Sequence, residues 1–246
     1  MGIGEHLARE FASQGAGLIL VARSAERLKS LSEELSSLVP CRFEPCDLSE
    51  PAAVQGILQR LERLDRLDGL ILNAGIGLYG SFEKLEDSDI RRLFEVNFFS
   101  NLSLIRGLLP ALKKGREPRI LTVSSIVSWR AIARLAPYSA SKSALNGFVE
   151  ALRTELEPQG IGVTNSYPPR VRTDFTANAK SSGWRPFDTK LGGQAPALTA
   201  RRIVKAYLRG KRDAYLSLPN RLLVWGNFLF PWLIDWGLER YFRGQD

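Results

Sequence analysis

Short, unbroken apolar runs alternate along this chain with stretches of helical periodicity. Residues 17–23 (GLILVAR), 68–73 (DGLILN), 119–124 (RILTVS) and 161–167 are runs of this kind. Apolar residues in succession predict strands covered on both faces. Residues 41–46 alternate like a strand, and 214–218 predict a short one. Helical patterns fall between them at 5–15, 25–37, 51–64, 87–113, 138–157 and 199–209. Residues 174–198 are rich in Gly, Ser and Pro and read as a long loop. Strands alternating with helices of this length specify an α/β fold, a doubly wound parallel sheet with helices on both faces. No repeat or linker divides the chain, so the expected organisation is one domain over 1–217 with 218–246 as its tail.

Composition excludes several chemistries. The 246 residues include one histidine, His6, and two cysteines, Cys41 and Cys46. No His-rich or Cys-rich metal site can be built from that set, so no metal is expected. A Ser-His-Asp triad would rest on His6 alone, and no G-x-S-x-G elbow is present. The cysteines read as reduced, buried thiols of a cytoplasmic protein. The N-terminus is polar and helical in pattern, unlike a signal peptide. No stretch has the unbroken apolar length of a spanning helix. Residues 1–169 hold 20 Lys+Arg and 20 Asp+Glu, whereas 170–246 hold 14 and 6, so the whole +8 lies there. That excess points to an anionic partner on one side, or to a basic solvated face.

The chemistry gathers around Tyr138-Ser-Ala-Ser-Lys142. The i, i+4 spacing puts Tyr138 and Lys142 on one helix face. An ammonium about 4 Å from a phenol, at an effective dielectric near 20, contributes roughly 4 kcal/mol. That would bring the phenol's pKa from about 10 to near 7, where proton transfer works best. Ser125 lies upstream at the end of a predicted strand, where ligands sit in parallel sheets. Asn73-Ala74-Gly75 ends the preceding strand in the same way, and Asn97 lies on the long helix between them.

Taken together, Gly2-Ile3-Gly4, Asp47, Asn73-Ala74-Gly75, Asn97, Ser125, Tyr138-x-x-x-Lys142 and Pro168 followed by Val171-Arg172-Thr173 resemble the short-chain dehydrogenase/reductase family, over roughly residues 1–217. The resemblance implies a Rossmann-like sheet and a hydride transfer between a nicotinamide cofactor and a ketone or secondary alcohol. Tyr138 would give or take the proton at oxygen, and Lys142 would lower its pKa and bond the nicotinamide ribose. Ser125 would hold the substrate oxygen, and Asn97 a relay water. Gly2, Ile3, Gly4, Asn73, Ala74, Gly75, Pro168 and Val171 would line the cofactor, Asp47 would bond the adenine, and Thr173 the carboxamide. Arg23 follows the strand that ends at the adenosine ribose. A base there accommodates a 2′-phosphate, which favours NADP(H) over NAD(H).

This sequence departs from the family pattern in two places. Pro169 stands where the family usually has Gly, so the nicotinamide wall is expected to differ in shape. The chain also starts inside the family's T-G-x-x-x-G-x-G motif, without the first glycine and the first strand. The expectation is an upstream segment encoding an apolar strand. Without it, poor expression and no tight NADP(H) binding are expected, and a non-catalytic chain acting by binding a partner or membrane is the alternative function.

The substrate side reads as large and apolar, with Trp129, Leu135, Phe175, Trp184 and Phe187 as candidate walls, or as ordinary loop anchors. The substrate expected is a hydrophobic or lipid-like carbonyl or alcohol. Residues 218–242 (LPNRLLVWGNFLFPWLIDWGLERYF) carry three of the five tryptophans and are broken by Gly226, Pro231 and Gly237. They suit either a helix at an anionic membrane surface or one packed on the domain or on a second subunit in a homo-oligomer. The segment lacks interleaved basic and stacking residues, which argues against nucleic acid.

Overall fold

The helices of the chain cover a parallel sheet that is divided in two. The computed structural model describes residues 2–182 and 192–242. One piece pairs β1 (Leu18–Ala22) with β2 (Cys41–Pro45). The other runs β3 (Gly69–Leu72), β5 (Arg119–Val123), β6 (Gly162–Tyr167) and β8 (Asp213–Tyr215), every pair parallel. A third small sheet pairs β4 (Leu78–Gly80) with β7 (Lys180–Ser182).

One layer holds α1 (Ile3–Ser13), α2 (Ala25–Leu35) and α8 (Pro196–Leu208). Leu7 and Phe11 of α1 meet Ile203 and Tyr207 of α8, and Leu121 and Val123 of β5, in one apolar cluster. The other layer holds α3 (Pro51–Leu61), α5 (Ser100–Leu112) and α6 (Ala136–Leu156). Val54, Ile57, Leu108, Leu112, Leu145 and Val149 pack there with Ile120 and Val163 of the sheet. Strand alternation explains both layers, because Ile120 and Leu121 point to opposite faces. A similar division holds across the two sheet pieces. Ile19 and Val21 of β1 join Leu70 and Leu72 of β3 in the second cluster, while Leu18 and Ile71 join the first. β1 and β3 therefore share one sheet plane, although each pairs on one side only.

Two expectations need correction. The long helix over 87–113 is α4 (Asp87–Phe94) and α5 joined by a π turn over Glu95–Phe99. The long loop over 174–198 contains α7 (Phe175–Asn178) and β7, and α8 already begins at Pro196. Three- and four-residue elements are too short to show a period. β7 is held from outside instead, by Lys180 on Asp89 at 2.7 Å and by Ser182 Oγ donating to Lys84 O. After β8 the chain forms α9 (Leu218–Leu229) and α10 (Pro231–Phe242), which meet where Ile234 lies against Gly226. No described helix is long and apolar enough to cross a membrane. Cys41 and Cys46 are free thiols.

Candidate active site

A cavity of about 1590 Å³ lies along the carboxyl ends of the strands and extends between β1 and β3. Arg23 follows β1, Asn73 to Gly75 follow β3, Ser124 and Ser125 follow β5, and Pro168 and Pro169 follow β6, all on its wall. Ligands of parallel α/β sheets sit at this end because short loops and helix N-termini converge there.

Tyr138 and Lys142 project from the first turns of α6, both buried. The Tyr138 hydroxyl is hydrogen-bonded to Ser125, which is in turn fixed by Ser128 Oγ donating to its carbonyl. Lys142 Nζ donates to Val123 O at 3.1 Å, at the last residue of β5. The electrostatics run opposite to the expected depression of Tyr138. Burial of the phenolate dominates and Tyr79 adds to it, so the Tyr138 pKa is raised, with the Ser125 hydrogen bond pulling weakly the other way. The same burial lowers Lys142 from 10.5 to about 8. The protein alone thus holds a firmly protonated phenol beside an easily neutralised amine.

That arrangement fixes a pH dependence. Lys142 titrates near 10.5 unfolded and near 8 folded, so above pH 8 the unfolded chain binds more protons. Its burial cost is full below pH 8 and is relieved as pH rises. Cofactor-free protein should therefore gain stability relative to Lys142→Met between about pH 8 and 10. Urea melts of the two proteins across that range test this, and a difference independent of pH refutes it.

Asn97 is fully buried in the π turn rather than on the cavity wall. Its Oδ1 accepts from Ile76 N at 2.9 Å, and its Nδ2 donates to Ile76 O and to Ser141 Oγ. Both amide hydrogens are spent on protein, so the side chain fixes Gly75–Ile76 against α6. Its carbonyl accepts from Asn101 Nδ2. A Cβ on Gly75 would stand 3.3 Å from both Asn97 Oδ1 and Lys142 Nζ, so this wall tolerates close approach only as glycine. Gly4 also lies off the cavity wall, and a Cβ there would stand 2.5 Å from Asn73 Nδ2. Gly2 and Ile3 line the cavity at the N-terminus of α1, which no side chain caps.

At the far end Arg23 is exposed and Arg27 lines the same wall. Ser24 caps α2 between them, its Oγ accepting from Arg27 N. Asp47 also lies on the wall. Its Oδ1 accepts from Ser49 N and Oγ, and Arg92 stands 3.8 Å from Oδ2. Glu50, not Asp47, occupies the cap position of α3. Pro168, Pro169, Val171 and Thr173 all line the cavity, and Thr173 Oγ1 accepts from Phe175 N. Pro168 O accepts from Ile126 N, which ties the β6 end to the Ser125 loop.

Beside Tyr138 the walls are apolar. Leu78, Tyr79, Val127, Leu135 and Phe175 form one cluster with it, and the Phe175 and Tyr138 rings lie 5.7 Å apart. Leu135 and Phe175 both line the cavity. Trp129 does not, because it packs on Tyr167 and Phe228 instead. Trp184 and Phe187 lie outside the described residues. Tyr79 and Arg27 carried no sequence signal, since each reaches the site through tertiary approach.

A sequence model described as "short chain dehydrogenase" matches residues 1–183. The chain belongs to the short-chain dehydrogenase family. Among relatives, it is 33% identical over 230 residues to bovine (Bos taurus) "Dehydrogenase/reductase SDR family member 7B", covering 89% of this chain and 71% of the relative. It is equally 33% identical over 234 residues to the bovine "3-ketodihydrosphingosine reductase", covering 90% and 70%. A short-chain dehydrogenase from Sphingobium yanoikuyae, solved in complex with NADPH, superposes with a TM-score of 0.81 at 25% identity, covering 95% of this chain and 92% of that one. This short-chain dehydrogenase is an oxidoreductase acting on CH–OH and C=O groups. Its cavity fits a nicotinamide dinucleotide by two observations of its own. The uncapped N-terminus of α1 suits a pyrophosphate, and Gly75 presents the cavity wall without a side chain.

Proposed function

We propose that this short-chain dehydrogenase reduces hydrophobic ketones to secondary alcohols with NADPH, and catalyses the reverse reaction with NADP⁺. The observation that carries this is Tyr138, hydrogen-bonded to Ser125 at the apolar end of the cavity, with Arg23 and Arg27 at the other end. A nicotinamide held in this cavity would supply hydride chemistry at the carbonyl carbon. Ser125 would orient the carbonyl oxygen and Tyr138 would donate the proton to it, so that hydride and proton together convert a ketone to an alcohol with charge balanced. Lys142 would bond the ribose and hold the phenol's charge once the proton has left. Asn97 acts through Gly75, as a positioning residue. Thr173 and Asp47 would reach the carboxamide and the adenine. The apolar walls suit a hydrophobic substrate, and one relative is named "3-ketodihydrosphingosine reductase".

Two arginines flanking the capped N-terminus of α2 make a phosphate site, and no acid stands at Arg23 to take a ribose 2′-hydroxyl. Arg23→Asp should shift the ratio of kcat/KM from NADPH toward NADH by at least about tenfold, the scale of one charged contact. An unchanged ratio would show that Arg23 does not read the phosphate.

A second reading, a non-catalytic chain that does not hold the cofactor tightly, is favoured by the division of the sheet beside the cofactor end of the cavity. Titration with NADPH followed by single-turnover assay separates the two readings.

A further inference from the structure

Among the described residues, the exposed large apolar side chains gather at the end of the chain. Ten of the fifteen exposed large apolar side chains among the described residues fall between Leu218 and Trp236. Leu218, Leu222, Trp225 and Leu229 form one stripe of α9 at helical spacing, and Leu223 and Phe230 widen it. Trp232, Leu233 and Trp236 continue it on α10, where Trp232 is 67% exposed. Monomeric proteins rarely leave so wide a patch bare.

The charges around it are arranged to match. From Leu222 to Leu238 the only ionisable side chain is Asp235, and Arg130 of the body pairs with it. Arg221 and the Glu239–Arg240 pair stand at the two ends. Residues 218–246 themselves hold three Arg and three acids, so their formal charge is balanced. The +8 lies on 170–217, where Arg201, Lys205, Arg209, Lys211 and Arg212 are exposed on and after α8. That basic stretch runs directly into α9 through β8, and Arg202 Nη1 donates to Leu216 O at the foot of α9. An apolar surface next to a basic one disfavours a second copy, which brings a second +8 against the first. It suits an anionic bilayer. Each helix has 12 residues, about 18 Å long and short of the ~30 Å needed to span.

The patch also adjoins the site. Phe228 packs on Trp129 at 5.8 Å, Asn227 Nδ2 donates to Trp129 O, and Arg130 Nη1 donates to Asn227 Oδ1. Trp129 and Arg130 lie in the connection from Ser125 to Tyr138, whose Val127, Ile132 and Leu135 line the cavity. We propose that α9 and α10 lie in the headgroup–acyl boundary of an anionic lipid bilayer, with the Ser125–Tyr138 connection resting on them, so that the enzyme draws its ketone from the lipid phase. The last clause rests on the function proposed above; the docking itself does not.

Flotation of the full chain with vesicles of phosphatidylcholine, alone or with one-third phosphatidylserine, tests the docking. The anionic vesicles should bind at least about tenfold more tightly, and 0.5 M salt should erase most of the difference. Trp225→Ser/Trp232→Ser/Trp236→Ser should abolish flotation. A second variant guards against misfolding of the first. Arg201→Ser/Lys205→Ser should weaken anionic binding by roughly twentyfold, at about fivefold per basic residue near the surface. The proposal falls if the parent chain floats with neither vesicle, or if both variants float as it does. It falls equally if light scattering finds a dimer that the tryptophan variant splits while vesicles bind nothing. NADPH-dependent reduction of a water-soluble ketone is read in parallel on the same proteins. Turnover without flotation sinks the docking alone, and flotation without turnover sinks the catalytic reading alone.

Discussion

Replacing Tyr138 with Phe is expected to lower kcat by about 10²–10⁴-fold while leaving NADPH affinity nearly unchanged. The phenol supplies the proton that neutralises the developing alkoxide, and Phe keeps the ring that packs on Phe175 at 5.7 Å. Nothing in the apolar cluster of Leu78, Val127 and Leu135 loses a contact, so the variant should fold like the parent. One hydroxyl partner is lost, on Ser125. Because Ser125 is separately held through Ser128 and its own loop, the site keeps its shape. Lys142→Ala should behave differently, losing turnover and affinity together, since the role proposed for Lys142 serves both the phenol's charge and the cofactor ribose. Stopped-flow reduction and fluorescence titration of NADPH separate the two effects. A Tyr138→Phe enzyme within about tenfold of its parent would leave general acid catalysis by this residue without support.

Burial raises the Tyr138 pKa in the cofactor-free site, so the phenol keeps its proton and is a weaker acid there than a free tyrosine. A sequence argument from spacing alone brings Lys142 to Tyr138 and lowers the pKa. It does not contain the desolvation, which comes from Tyr79, Leu135 and Phe175 closing over the ring. These residues arrive from β4, the loop before α6, and α7, none with a period long enough to read. The strands were legible because residues such as Ile120 and Leu121 are buried on both faces and so must all be apolar. Ser125, Tyr138 and Lys142 were legible because one strand end and one helix turn carry them. Asn97 was legible as a position, and its full burial was not. That burial depends on a π turn, which has no residue-type signature of its own. Arg27 was missed because a helix-surface arginine looks the same whether it faces solvent or phosphate.

The division of the sheet predicts the largest stability effect. β1 pairs only with β2 and β3 only with β5, so two inner strand edges face the cavity with their ladder groups unpaired by each other. Ile19, Val21 and Leu70 point into one layer, and Leu18 and Ile71 into the other, so a strand set between them would bury side chains on both faces. Gly2 lines the same cavity at the start of α1. A right-handed crossover through α1 connects such a strand to β1 in parallel. An engineered extension ahead of Gly2, of five or six Val and Ile residues and a short Gly-containing turn, should therefore pair with both edges. Burial at about 1.5–3 kcal/mol per side chain outweighs about 1–2 kcal/mol per residue of backbone ordering. A net gain of several kcal/mol corresponds to a Tm rise of roughly 10 °C for a chain of this size. NADPH affinity should rise with it, since the loop at Gly2 is then held from both ends. The control is the same extension with two residues replaced by Pro, which cannot donate to a ladder and should gain little. Equal Tm for the two extensions, with NADPH affinity the same as without either, would show that the inner edges do not accept a strand.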